Sequence, residues 1–219
     1  MDRMKLSRRA TLAFLIALAP LRAAAADDAA LGKAEVNRLG PGDWVWRPEP
    51  AAVGATTIVI SLRRQLAYVY RSGRLIGAAT ISSGSAGHES PIGRFNILEK
   101  AKLHRSNRYS AAPMPFMLRL NWYGVAMHGG NVPGYPASHG CIRLPMGFAK
   151  TLFETAGVGD LVFVTEEDVR SPKAALELAR DHADDPVGPD RALRMAASKT
   201  LSAEDGQSRS GAPSGKKER

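Results

Sequence analysis

Between residues 56 and 98 the chain alternates apolar runs with turn residues, at intervals too short for a helix. Residues 57–61 are mostly β-branched, and Leu66, Ala67, Tyr68, Val69 and Tyr70 follow after a turn. Ser72-Gly73, between Arg71 and Arg74, is a two-residue hairpin signal, so 74–82 should return as a strand. A break at Gly84–Gly87 and a turn at Pro91-Ile92-Gly93 precede another strand over 94–98. Strands in such quick succession predict antiparallel pairing in a sandwich or barrel rather than βαβ units.

The rest of the chain extends that pattern. Residues 99–113 read as a long basic loop carrying Lys100, Lys102, His104, Arg105 and Arg108, either a lid or a solvated excursion. Strands are expected over 116–120 and 125–127, the second running straight into His128. Pro145 suits the first turn of a helix, and Ala149, Leu152, Phe153 and Ala156 fall on one helical face before Gly157. A final buried strand occupies 161–164. Past Thr165, Ser171-Pro172 can cap a helix running to about residue 184, a second weak helix is expected over 190–201, and 202–219 has a disordered composition. Ahead of the strands, 27–55 reads as a linker or N-terminal extension, with a short strand around Trp44–Trp46.

Residues 1–26 read as an export signal: Arg3, Lys5, Arg8 and Arg9, then an apolar run over 10–21, then Ala23–Ala26 as a cleavage region. The run is too short to remain as a membrane anchor. Ser7-Arg8-Arg9 resembles the start of a twin-arginine signal, although Thr11 stands where an aromatic is usual. The division is therefore 1–26 signal, 27–55 extension, 56–165 globular domain and 166–219 tail. Within 56–165 there are twelve Arg and Lys against four Asp and Glu, a charge of +8. Such a surface favours an anionic partner. No nucleic-acid motif accompanies it, which leaves anionic lipid or a carboxylate-rich polymer.

The chain has one cysteine, in Ser138-His139-Gly140-Cys141-Ile142-Arg143-Leu144. His128 stands thirteen residues upstream, across a Gly- and Pro-rich loop. A lone cysteine with two nearby histidines is a candidate activated nucleophile, since the thiolate is the reactive form and an imidazole can take its proton. His128 ends an apolar strand, a rigid seat for a base, so it is favoured. His139 could also reach the sulfur; otherwise it lines the substrate. The imidazole needs an orienting acceptor. Few carboxylates lie nearby in sequence, so the Gly129 carbonyl is the better candidate. Gly140 permits an unusual backbone angle and a close approach to the Cys141 N–H as an oxyanion donor. Arg143 is placed for a substrate carboxylate or phosphate, or is a plain strand-pairing arginine. Two other readings stand beside this one: a cysteine packed as a small hydrophobe, and zinc held by His128, His139 and Cys141, which no paired ligand spacing supports.

These residues closely resemble the signature of the L,D-transpeptidase (YkuD) catalytic domain. Ser90-Pro91-Ile92-Gly93-Arg94-Phe95 is similar to that family's Thr-Pro-x-Gly-x-Phe turn, and Gly84 fits its Ser-x-Gly. The likeness spans roughly 56–165. It implies a mainly β, sandwich-like or barrel fold with one or two short helices, in a periplasmic or cell-wall cysteine enzyme acting on peptidoglycan stem peptides, without a metal or cofactor. By the resemblance Cys141 attacks the third stem residue, His128 is the base, Gly129 its carbonyl partner and Arg143 the motif arginine; Ser138, His139 and Gly140 beside them are substrate-binding or oxyanion candidates. D-alanine leaves and a second stem amine resolves the acyl-enzyme as a 3→3 cross-link. Water or a lipoprotein lysine are the other acceptors, and carbapenems typically acylate such a cysteine. A wall-binding module without catalysis is the alternative of a different class. The chain departs from the family in the short interval from His128 to Cys141, in Ser90 for Thr, and in having no LysM-like segment.

Overall fold

The computed structural model describes residues 31–47 and 54–187. The expected leader, the second C-terminal helix and the 202–219 tail lie outside these residues.

A short helix α1 (Lys33–Val36) and strand β1 (Trp44–Trp46) come first. Then follow β2 (Thr56–Ser61), β3 (Leu66–Arg71), β4 (Arg74–Thr80), β5 (Gly93–Asn96), β6 (Glu99–Ala101), β7 (Met117–Arg119), β8 (Ala126–Gly129) and β9 (Ile142–Leu144). Helix α2 (Met146–Thr155), β10 (Leu161–Thr165) and helix α3 (Pro172–Asp181) complete the chain. One sheet has six strands in the order β1-β4-β3-β2-β10-β5, the other four in the order β6-β7-β8-β9. The β3–β4 hairpin closes at Ser72-Gly73 with both φ positive, 50° and 78°, the type I′ geometry whose twist matches its strands.

The large sheet is apolar on both faces, and the two-residue period sorts its side chains. Ile58 and Ile60 of β2, Ala67 and Val69 of β3, and Val162 and Val164 of β10 enter the main core. There they meet Leu118, Met127, Ile142 and Leu144 of the small sheet, and Phe148 and Leu152 of α2. Val59, Tyr68, Tyr70 and Phe163 point the other way, into a second core closed by Val36 of α1 and by Ala175 and Ala179 of α3. Ser171 caps α3, its Oγ accepting from the Ala174 N–H at 3.2 Å, and Pro172 opens the first turn. Tyr70 fastens this layer through a 2.6 Å hydrogen bond from its hydroxyl to the Pro172 carbonyl. Among the described residues no helix is long and apolar enough to cross a membrane.

Three sequence expectations need correction. Antiparallel pairing dominates, but β2–β10 and β8–β9 are parallel. The first returns by a long route through the small sheet, and the second is joined by the loop from His128 to Cys141. The stretch 99–113 is not all loop. Glu99–Ala101 forms β6 against β7, with Glu99 opposite Arg119 and their side chains 2.6 Å apart. That strand shows no apolar alternation, and its cross-strand partner defines it. Helix α3 stops at Asp181, short of 184.

Candidate active site

β8 and β9 run parallel with His128 opposite Arg143 and Met127 opposite Ile142. Alternation therefore sends Met127, Ile142 and Leu144 into the core. His128 and Arg143 share the opposite face, and Cys141, two residues before Arg143, emerges beside them. All three line one cavity of about 460 Å³, walled on the far side by Ser106, Tyr109 and Pro113–Pro115 of the loop between β6 and β7. That loop therefore lies over the site as a lid.

His128 is buried, and its Nδ1 lies 2.9 Å from the Gly129 carbonyl oxygen. A carbonyl only accepts, so Nδ1 carries the proton and Nε2 keeps the free lone pair. Burial holds the His128 pKa below its ordinary value, with the charges of Arg143 and His104 adding to the effect and the Gly129 bond opposing it. Cys141 packs beside Met114, Met117 and Ala126. Burial pushes its thiol pKa up, against the opposing pull of the Ala126 backbone, Arg143 and Arg119. Both groups therefore rest neutral near pH 7. The thiol donates to the Gly124 carbonyl at 3.4 Å.

The loop before the cysteine is stitched in place. Ser138 Oγ donates to the Cys141 carbonyl and accepts the Gly140 N–H at 3.2 Å. Gly140 sits at φ +108°, a conformation L side chains rarely adopt, with its N–H already engaged. The Ala137 and Ser138 N–H groups both donate to the Ser83 carbonyl, at 3.0 and 2.9 Å. Ser90 Oγ accepts from the Gly84 N–H, tying the Pro-Gly turn to the same region.

His139 is exposed and lines the same cavity as Cys141, His128 and Arg143. Its ring lies against Tyr109, centroids 4.6 Å apart and planes inclined by 31°, and packs at a steeper 56° against His88 at 5.0 Å. Among the described residues, no three His, Cys, Asp or Glu side chains gather in a group able to hold a metal ion. Sequence reasoning did not single out Tyr109, His88 or Met146. Tyr109 left one signal, an aromatic alone among the cations of a polar loop.

The family model of the L,D-transpeptidase catalytic domain (YkuD) matches residues 55–164. The chain belongs to this family. Solved L,D-transpeptidases are similar to about half of the chain. One from Stackebrandtia nassauensis is 26% identical over 52% of this chain and 57% of its own, with a TM-score of 0.48. One from Mycobacterium tuberculosis H37Rv is 21% identical over 51% and 58%, with a TM-score of 0.49. One from Xylanimonas cellulosilytica is 25% identical over 55% and 65%, with a TM-score of 0.47. The chain spans less than two thirds of the length of these L,D-transpeptidases. A search of curated proteins returned no match. Within the L,D-transpeptidase domain, the two motif blocks read from sequence meet one residue before the cysteine: Ser90 donates to the carbonyl of Gly140.

Proposed function

We propose that this chain is an exported peptidoglycan L,D-transpeptidase that forms 3→3 cross-links through a thioester on Cys141. The observation that carries this is the shared cavity of Cys141, His128 and Arg143, with His128 oriented by the Gly129 carbonyl so that Nε2 is its free basic nitrogen. Among the described residues no carboxylate lines that cavity, whose ionisable lining is imidazole, guanidinium, phenol and thiol. This suits an acyl donor bearing carboxylates.

In the reaction Nε2 of His128 takes the Sγ proton as the sulfur attacks the carbonyl of the stem's diamino-acid residue. The tetrahedral oxyanion is met by the Cys141 N–H, and Arg143 holds a substrate carboxylate. Collapse breaks the bond to terminal D-alanine, whose amine receives the proton from His128. The side-chain amine of a second stem loses its proton to Nε2, attacks the thioester and expels the thiol. Ser138 and Gly140 keep the cysteine at the cavity mouth, while His139 lines the approach. The reading needs no metal or cofactor. Residues 1–26 would deliver the chain to the periplasm or cell wall, and stem peptides are its partners.

Mixing the protein with a carbapenem and weighing it intact tests the nucleophile. One adduct is expected on the parent and none on Cys141→Ala, whereas labelling at another residue would reject the assignment. Purified tetrapeptide muropeptides then test the acceptor. A dimer linked between two third residues supports transpeptidation; free tripeptide alone means that water resolves the acyl-enzyme. A lipoprotein acceptor would need its own lysine-bearing peptide in the mixture.

A further inference from the structure

The lid and the thiol meet through two consecutive residues. Arg108 Nη1 donates to the Tyr123 carbonyl at 2.8 Å. Its Cδ lies over Gly124, where an added Cβ would approach to 3.2 Å. The Gly124 carbonyl is the group that receives the Cys141 thiol. The next residue, Tyr109, stacks on His139, two positions before the cysteine. His88 completes the ring cluster, 6.4 Å from Tyr109. The lid is shaped to present both side chains. Ser106 Oγ accepts the N–H groups of Arg108 and Tyr109 at 3.2 and 3.1 Å, and the Ala112 N–H returns to the Tyr109 carbonyl at 2.9 Å.

A thiol that donates to a carbonyl must keep its proton, because a thiolate would face the negative end of that dipole. Whatever fixes the Gly124 carbonyl therefore favours the unreactive form of the sulfur. We propose that Arg108 is a positioning residue for Cys141: by pinning the Tyr123–Gly124 turn it parks the thiol on the Gly124 carbonyl while the lid is down. The Tyr109–His139 stack is the second arm of the same clasp, and lifting the lid frees the sulfur to turn toward His128. The ionisable groups around the sulfur are His128 of β8, Arg143 of β9, Arg119 of β7, His139 of its own loop and Tyr109 of the lid, with His104 of the lid beyond His128. This inference rests on the reading of Cys141 as nucleophile, but it concerns the resting state and needs no substrate.

Alkylation of the full chain by iodoacetamide, followed by intact mass across the neutral and alkaline range, tests it. Arg108→Ala should label at neutral pH about three-fold faster or more, with its pH midpoint moved down. Arg108→Lys, which restores a donor to the Tyr123 carbonyl, should fall back toward the parent in both. Tyr109→Phe keeps the ring and should match the parent, while Tyr109→Ala should follow Arg108→Ala in rate. Equal rates and midpoints in the parent and Arg108→Ala would overturn the proposal. So would slower labelling, or a faster rate with an unmoved midpoint, since simple opening would give the latter. Because alkylation uses neither stem peptide nor acceptor, its outcome is separable from that of the transpeptidation assay.

Discussion

Ser90 Oγ donates to the carbonyl oxygen of Gly140 at 2.9 Å while accepting the Gly84 N–H at the same distance. One buried hydroxyl thus joins the Pro-Gly turn, the Gly84 break and the cysteine loop. Ser90→Ala leaves the Gly84 N–H and the Gly140 carbonyl without this partner and should cost about 1–3 kcal/mol. Carbapenem acylation should slow in the same variant, because Gly140 adjoins the cysteine. Ser90→Thr keeps the hydroxyl and should retain both properties. Urea unfolding and the rate of adduct formation check the pair.

Gly140 occupies φ +108° immediately before Cys141. Gly140→Ala must either strain, at about 1–3 kcal/mol, or re-aim the sulfur. An added Cβ would meet no atom closer than the His88 carbonyl at 3.7 Å, so the penalty is conformational and not a clash. The expected outcome is a folded protein with a lowered urea midpoint and a slower acylation rate. An unchanged rate would remove the backbone angle from the account of the site.

The pH response follows from two shifts of opposite sign. His128 is held below its ordinary 6.5, so the unfolded chain binds a proton there before the folded chain does. Its contribution is therefore lost as pH falls from about 6.5 toward the folded value. Cys141 is raised above 9.0, so the unfolded thiol ionises first, and stability is lost as pH rises through 9.0 toward the folded value. For the reaction, a depressed His128 remains a base in mild acid. The acid limb of carbapenem acylation should accordingly have its midpoint below 6.5, measured as adduct rate against pH.

Ser171→Ala removes the cap of α3 and should cost about 1 kcal/mol. The cap belongs to the outer layer, and neither Ser171 nor any residue of α3 lines the cavity. Urea unfolding should shift while the acylation rate holds.

The strands between 56 and 82 were legible because their apolar runs are long and their turns chemically marked, above all at Ser72-Gly73. The cysteine block was legible because Cys141, the one cysteine, and His128, one of five histidines, stand a short interval apart with Gly140 beside the sulfur. β6 was not, because Glu99, Lys100 and Ala101 carry no alternation and depend on Arg119 opposite. The parallel pairing of β8 with β9 was hidden too. Three residues, Ile142 to Leu144, are too few to show a period, and only the fold places His128 beside Arg143. Nothing local announces that Arg108 and Tyr109 reach across to Tyr123 and His139, since those contacts join segments far apart in sequence.

The back of the six-stranded sheet carries Tyr68, Tyr70 and Phe163 under a cover drawn from α1 and α3. Both helices lie beyond the residues this chain shares with its family. Trimming to those shared residues would strip that cover and expose aromatic and aliphatic surface to water, inviting self-association. The smallest well-behaved fragment should therefore begin no later than Leu31 and continue through Ala179, a length chosen by burial rather than by homology.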